Sequence, residues 1–205
     1  MIRLEYLGKL IVISGPSGVG KGTVVEGLLS NPDLNLYWAK SYTTRPERPS
    51  DKSENHYLFI DELKFKELEK SGEVIESNFY NGSWYGSSKS EIDKGLAARQ
   101  NVLKEIEVNG GMYYKRHYPE AILIFITTDI KNIKNRLVSR GQNTPEEIEA
   151  RLLTAKKEML RKKEYDYCIE NPEGQSEKAI GEIEKIINGG SNNEQRGDFA
   201  GVTRG

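Results

Sequence analysis

Ser14-Gly15-Pro16-Ser17-Gly18-Val19-Gly20-Lys21-Gly22-Thr23 follows directly on the apolar run Leu10–Ile13 and opens a helical pattern over Lys21–Ser30. The spacing from Gly15 to Gly20-Lys21 is the phosphate-loop pattern GxxxxGK, in the strand, loop, helix context that it requires. Glycines let backbone N–H groups turn inward and approach a polyphosphate without Cβ clashes. The helix N-terminus adds a dipole that favours an anion. Lys21 then reaches the β and γ phosphates as a point charge. One position departs from the usual pattern: Gly22 stands where a Ser or Thr hydroxyl commonly holds magnesium. The ion is therefore expected to be held mostly by phosphates and water, with Thr23 touching phosphate instead.

Outward from this loop, short apolar runs alternate with helical patterns. Strands are predicted over Leu10–Ser14, Asn101–Val108, Ile122–Thr127 and Tyr167–Glu170, and helices over Lys21–Ser30, Glu62–Lys70, Lys131–Ser139, Glu146–Lys163 and Glu177–Asn188. That order predicts an α/β fold, a P-loop NTPase core with a mainly parallel sheet flanked by helices. The clearest helix start is Thr144-Pro145-Glu146-Glu147: a Thr N-cap, Pro at the first helical position and Glu at the third make a capping box. Ile148, Leu152, Ala155 and Met159 then keep one face apolar. Between Ser41 and Ser90 the pattern changes to short strands, turns and one helix between Asp61 and Gly72, which reads as an insertion. From Gly189 to Gly205 there are five glycines and only Phe199 and Val202 as larger apolar residues, so this tail is expected to be disordered.

Composition narrows the setting. Over 205 residues, Lys+Arg 30 against Asp+Glu 31 leaves a net charge of -1, which argues against a broadly basic nucleic-acid surface. No apolar run approaches the roughly 18 residues that span a bilayer, so no transmembrane helix is expected. The first residues carry no apolar stretch of signal-peptide length, and a cytoplasmic protein is expected. One cysteine, Cys168, excludes an internal disulfide, and His56 and His117 are too far apart for a local zinc cluster. With no Asn-Lys-x-Asp guanine motif of the GTPase type, a kinase of small molecules is favoured over GTPases and motors.

The insertion carries candidates for the acceptor. Arg45 and Arg48 lie three residues apart in Ser41-Tyr42-Thr43-Thr44-Arg45-Pro46-Glu47-Arg48, and two guanidiniums can fork onto one phosphate. Tyr57, Glu76, Tyr85 and Ser87 follow. A glutamate accepts from both the N1–H and the N2 amino group of guanine, whereas adenine presents an acceptor at N1. The hydroxyls of Ser41 and Ser87 are placed to donate to guanine O6. On spacing alone, Arg136 and Arg140 also fit solvated helix charges, and Glu105 and Glu107 fit a solvent-facing strand face.

Taken with Ser14 to Thr23, the segments Thr43-Thr44-Arg45-Pro46, Tyr57, Glu76, Tyr85-Gly86-Ser87, Glu105-Ile106-Glu107-Val108-Asn109-Gly110 and Arg136 to Arg151 are jointly specific. The chain resembles a bacterial guanylate kinase from about Gly8 to Ile187. The resemblance implies a domain over residues 1–188, with a core of 1–40 and 94–188, a GMP-binding insertion at 41–93 and a lid at about 137–150. It implies that Gly15, Pro16, Ser17, Gly18, Val19, Gly20, Lys21, Gly22 and Thr23 bind ATP. Arg45, Arg48, Tyr57 and Tyr85 would bind the GMP phosphate, and Ser41, Glu76, Ser87 and Glu107 the base. Glu105 would lie near magnesium. Lys21, Arg45, Arg136, Arg140 and Arg151 would supply the catalytic charge. The reaction implied is MgATP and GMP to ADP and GDP. Such families often have Asp at the positions of Glu105 and Glu107, Gln at Asn109 and a Pro pair at Thr127 and Thr128. Rival readings are a ribose 1,5-bisphosphate kinase, a kinase of another nucleoside monophosphate, and a guanylate-kinase-like module that binds phosphopeptides.

The residue inventory suits phosphoryl transfer to a phosphate. The attacking oxygen is already anionic, so no general base is required. What the reaction needs is alignment and positive charge.

Overall fold

The computed structural model describes residues 8–49, 51, 56–80, 82–139, 141 and 143–189. The predicted disordered tail lies outside the described residues apart from Gly189. The main sheet has the strand order β2-β7-β1-β8-β9 and the smaller one β4-β3-β6-β5. In the main sheet β1 is Leu10–Ser14, β2 Leu36–Trp38, β7 Asn101–Glu105, β8 Ile122–Thr127 and β9 Tyr167–Glu170. In the smaller sheet β3 is Ser41–Thr43, β4 Tyr57–Phe59, β5 Val74–Tyr80 and β6 Ser83–Ser88. The chain divides into two compact units, one from the described residues of Met1–Leu10 and Leu36–Lys104 and one from those of Ile11–Asn35 and Glu105–Gly205.

In the second unit β1 runs parallel to β8, with Ile11 opposite Ile122 and Ser14 opposite Phe125. Strand β8 runs parallel to β9, with Ile124 opposite Tyr167 and Thr127 opposite Glu170. Buried on both faces, β1 and β8 are continuous apolar runs rather than alternating ones, as parallel strands covered by helices require. The helices of this unit are α1 Lys21–Leu29, α4 Gly111–His117, α5 Ile130–Ser139, α6 Pro145–Met159 and α7 Ser176–Ile187. Helices α1 and α7 pack together, and the missing side chain of Gly27 admits the Ile180 Cδ1. Ala179, Ile180, Ile183, Ile186 and Ile187 form the buried face of α7. Each buried isoleucine contributes roughly 1.5–3 kcal/mol relative to exposure. The Thr144 capping box is present: the Thr144 Oγ1 accepts from the Glu147 N–H, and the Glu147 carboxylate accepts from the Thr144 N–H at 2.9 Å.

In the first unit β2 and β7 are parallel, with Tyr37 opposite Val102, and the Val102 N–H donates to the Lys9 carbonyl at 2.7 Å. Strand β3 pairs parallel with β4 and antiparallel with β6, and β5 and β6 form a hairpin with a register shift between Val74 and Ser77. Helix α2, Glu62–Lys70, is capped by Asp61 and buries Phe65, while α3, Lys89–Ala97, is capped by Ser88. Gly86 is required in β6, because a Cβ there would stand 2.4 Å from Val74 Cγ1 and 2.9 Å from the Glu76 carbonyl oxygen.

Two sequence expectations need correction. The predicted strand Asn101–Val108 ends at Glu105. Beyond it the chain closes a tight 3₁₀ turn over Val108–Gly110, in which the Gly110 N–H donates to the Glu107 carbonyl at 3.0 Å. Glu105 and Glu107 therefore do not share a strand face. The predicted helix Glu146–Lys163 is α6 to Met159 and then a 3₁₀ stretch, Leu160–Glu164, where Arg161 forks onto the Glu164 carboxylate.

Candidate active site

The second unit builds the phosphate loop at the end of β1. Gly15 has φ +146°, and a Cβ there would lie 2.3 Å from the Ile126 carbonyl oxygen, so a side chain cannot stand where the loop leaves the sheet. Gly20 has φ +89°, and its Cβ would lie 2.6 Å from Asn171 Nδ2. Lys21, the first residue of α1, folds back over the loop and donates from Nζ to the Gly15 carbonyl at 2.6 Å and the Pro16 carbonyl at 3.2 Å. Its ammonium is thus held by two carbonyls at the start of the loop. Gly22 faces open space, so the missing hydroxyl is a matter of chemistry and not of crowding.

Two of the predicted arginines reach this loop. Arg136 of α5 donates from Nη1 to the Val19 carbonyl at 2.7 Å, and from Nη2 to the carbonyls of Asn171 at 3.0 Å and Pro172 at 3.2 Å. Arg151 of α6 approaches Ser17 Oγ at 3.4 Å. Arg140 lies outside the described residues. Sequence reading missed Asn171, a buried residue just past β9 whose Nδ2 donates to the same Val19 carbonyl at 2.8 Å and whose N–H donates to Thr127. Its position after a parallel strand, on the edge where such sheets bind ligands, was the available signal. Glu158 of α6 was missed as well. Burial raises its pKa, with Lys21 opposing that shift and Glu107 adding to it, so these three charges lie within electrostatic reach. Glu105 is half-buried at the end of β7 and Glu107 is exposed.

The first unit brings most of the residues expected to hold the acceptor onto the smaller sheet. Ser41 lies opposite Ser87, and Thr43 opposite Tyr85, in the β3–β6 register. The Ser87 hydroxyl donates to Glu76 Oε1 at 2.8 Å. In this arrangement the one proton of Ser87 goes to the carboxylate. Tyr57 and Tyr85 meet edge to face with ring centroids 6.0 Å apart. Arg45 stands 5.0 Å above the Tyr57 ring and 5.3 Å above the Phe59 ring. Arg48 is exposed.

Arg45 also has a partner that sequence reading did not find. Its guanidinium forks onto Asp51, with Nη1 to Oδ2 and Nη2 to Oδ1 both at 2.6 Å, and the Arg48 N–H donates to Oδ2 at 2.6 Å. The Arg45 hydrogen bond holds the Asp51 carboxyl down at about 2 against the upward push of burial, and the Arg48 N–H helps. A carboxyl depressed on folding contributes stability that is present above its unfolded value of about 4 and is lost as pH falls toward the folded value. Melting temperature is therefore expected to drop more steeply between pH 4 and pH 2 in the wild type than in Asp51→Asn. Parallel curves would show that the pair does not govern acid stability.

A phosphate loop on the lip of a parallel sheet defines a P-loop nucleotide-binding protein. The family model described as guanylate kinase matches residues 7–189. The guanylate kinase of Streptococcus agalactiae serotype III is 41% identical over 165 residues, covering 80% of this chain and 79% of that protein. That of Streptococcus pyogenes serotype M3 is 40% identical over 167 residues, covering 81% and 79%. The crystal structure of guanylate kinase from Anaplasma phagocytophilum superposes with a TM-score of 0.70 at 25% identity, over 93% of this chain and 91% of that one. The chain belongs to the guanylate kinase family.

Proposed function

We infer that the chain transfers the γ-phosphoryl group of ATP to GMP, giving ADP and GDP. The observation that carries the reading within the molecule is the Glu76 carboxylate, held by Ser87 on the same sheet that presents Arg45, Tyr57 and Tyr85. An ionised carboxylate accepts only, which matches the two donors on the guanine edge and opposes the N1 acceptor of adenine. Family membership supports the same activity.

In this reading Gly15 to Thr23 cradle the ATP phosphates, and Lys21 exchanges the Gly15 and Pro16 carbonyls for phosphate oxygens. Arg45 and Arg48 hold the GMP phosphate with the hydroxyls of Tyr57 and Tyr85, so Arg45 must release Asp51 or share its fork with the ligand. Arg151, beside Ser17, adds charge around the transferred group. Arg136 acts first by fixing the Val19 carbonyl and so the shape of the loop. With the acceptor oxygen already anionic, these groups align the two nucleotides and offset the repulsion between them.

A divalent ion fits this residue set. Among the described residues there is no group of three or more His, Cys, Asp or Glu side chains suited to a metal. Magnesium carried on nucleotide phosphates needs no such cage, because it keeps most of its waters. Glu105, through water, is the side chain that would hold it, with Thr23 touching phosphate. The ion's charge would offset that of the phosphates during transfer.

Among the described residues no helix is long and apolar enough to cross a membrane, and nucleotide substrates go with a cytoplasmic setting. A ribose 1,5-bisphosphate acceptor leaves Glu76 without a base to read, and a phosphopeptide module leaves Lys21 and its loop without a task. In the direct test, ADP formation from MgATP requires GMP and is matched by an equal amount of GDP. ADP formation that ignores GMP overturns the reading.

A further inference from the structure

We propose that Lys104 is a positioning residue for base specificity: it fixes the direction of the Ser41 hydroxyl and so selects an acceptor purine with an oxygen at C6. The inference rests on the reading of the chain as a GMP phosphotransferase. Lys104 lies in β7 and is 1% exposed. Lysines are almost never this deeply buried without partners. Its Nζ donates to the Ala39 carbonyl at 2.9 Å and to Ser41 Oγ at 2.5 Å. Neither the motifs nor the mechanism above uses it.

An ammonium has three donors and no acceptor, so in the Lys104–Ser41 bond the serine oxygen accepts. A hydroxyl that accepts from lysine keeps its single hydrogen for another acceptor. On the neighbouring strand the arrangement is reversed. Ser87 lies opposite Ser41, and its hydrogen is committed to Glu76, leaving only lone pairs to offer. Opposite residues of an antiparallel pair place their Cβ atoms about 4.5–5.5 Å apart on one face. The pair of serines is therefore polarised, with Ser41 a donor and Ser87 an acceptor.

A guanine edge presents an O6 acceptor beside the N1–H donor. Ser41 as donor meets O6, and Glu76 meets N1–H and the 2-amino group. An adenine edge presents an amino donor at C6 and would meet the Ser41 hydrogen head on. A serine free to rotate would tolerate either base, since its hydroxyl can donate or accept. Lys104 removes that freedom and, by polarising the hydroxyl, strengthens its donation.

The test compares GMP with two analogues that separate the contacts. 6-Thioguanosine 5′-monophosphate keeps N1–H and the 2-amino group and replaces O6 by a poor acceptor. Inosine 5′-monophosphate keeps O6 and N1–H and lacks the 2-amino group. In Lys104→Met the preference for GMP over the 6-thio analogue, as a ratio of kcat/KM, is expected to shrink by about tenfold, the weight of one charge-assisted hydrogen bond. The GMP over IMP ratio is expected to hold. In a Ser41→Ala background Lys104→Met should change neither ratio further. Equal losses with all three nucleotides, or no loss, would overturn the proposal by showing that Lys104 only supports the fold or does nothing. Should Lys104→Met not fold, Ser41→Ala alone decides: an unchanged GMP over 6-thio ratio removes the contact through which Lys104 acts. Absence of GMP turnover in the wild type is a separate outcome and sinks the functional reading itself.

Discussion

Replacing Lys21 by alanine is expected to lower kcat by at least about 10²–10³-fold, the typical cost of deleting one preorganised group that meets developing charge. The Lys21 ammonium lies 2.6 Å from the Gly15 carbonyl and 3.2 Å from the Pro16 carbonyl. Phosphate oxygens would take the place of those two carbonyls and bring the charge onto the transferred group. The same two bonds tie the loop together, so the variant also loses structure, at about 1 kcal/mol per bond. Melting curves without nucleotide separate the two effects. A small shift in melting temperature is expected beside a large loss of turnover. A kcat within a few-fold of wild type would mean that the loop is a structural turn and that the phosphates bind elsewhere.

Glu76→Gln is expected to cut kcat/KM for GMP by about 10²-fold or more while leaving the KM for ATP near its wild-type value. Ser87 donates to Glu76 Oε1 at 2.8 Å, and in the variant it goes on donating to the amide oxygen. The amide nitrogen then faces the guanine N1–H, donor against donor. Adenine N1 is an acceptor and suits the new amide, so relative use of AMP should rise. The readout is the GMP over AMP ratio of kcat/KM, which a general loosening of the sheet would leave unchanged. Equal losses for both nucleotides would remove Glu76 from base recognition.

Local signals carried the fold and the phosphate half of the site. The run Leu10–Ser14 is buried on both faces and needs no partner to be recognised as a strand, and Gly15 to Lys21 has a spacing that few other tasks require. The Thr144 capping box is written in four consecutive residues and forms as read. What stayed hidden depends on pairing across the chain. Asp51 is only six residues from Arg45, yet a carboxylate in a charged loop does not announce which arginine it will take. Asn171 and Lys104 act through carbonyls and hydroxyls supplied from distant positions, Val19 in one case and Ala39 and Ser41 in the other. Strand β2 was not predicted, since Leu36-Tyr37-Trp38 is too short to show a period, and helix α3 is too polar to show a clear apolar stripe. The end of β7 at Glu105 was not legible either, because the turn after it is set by the Gly110–Glu107 bond and not by any breaker inside the run.

The proposed activity requires a guanine-selective acceptor site and a phosphate loop that binds ATP. The most direct measurement is ADP release from MgATP with GMP, AMP, UMP and ribose 1,5-bisphosphate offered in parallel, using Lys21→Ala as the blank. Rapid release is expected with GMP, with a kcat/KM for the other acceptors lower by about 10²-fold or more and loss of the signal in the blank. A folded protein that releases ADP equally with every acceptor, or with none, contradicts the proposed activity.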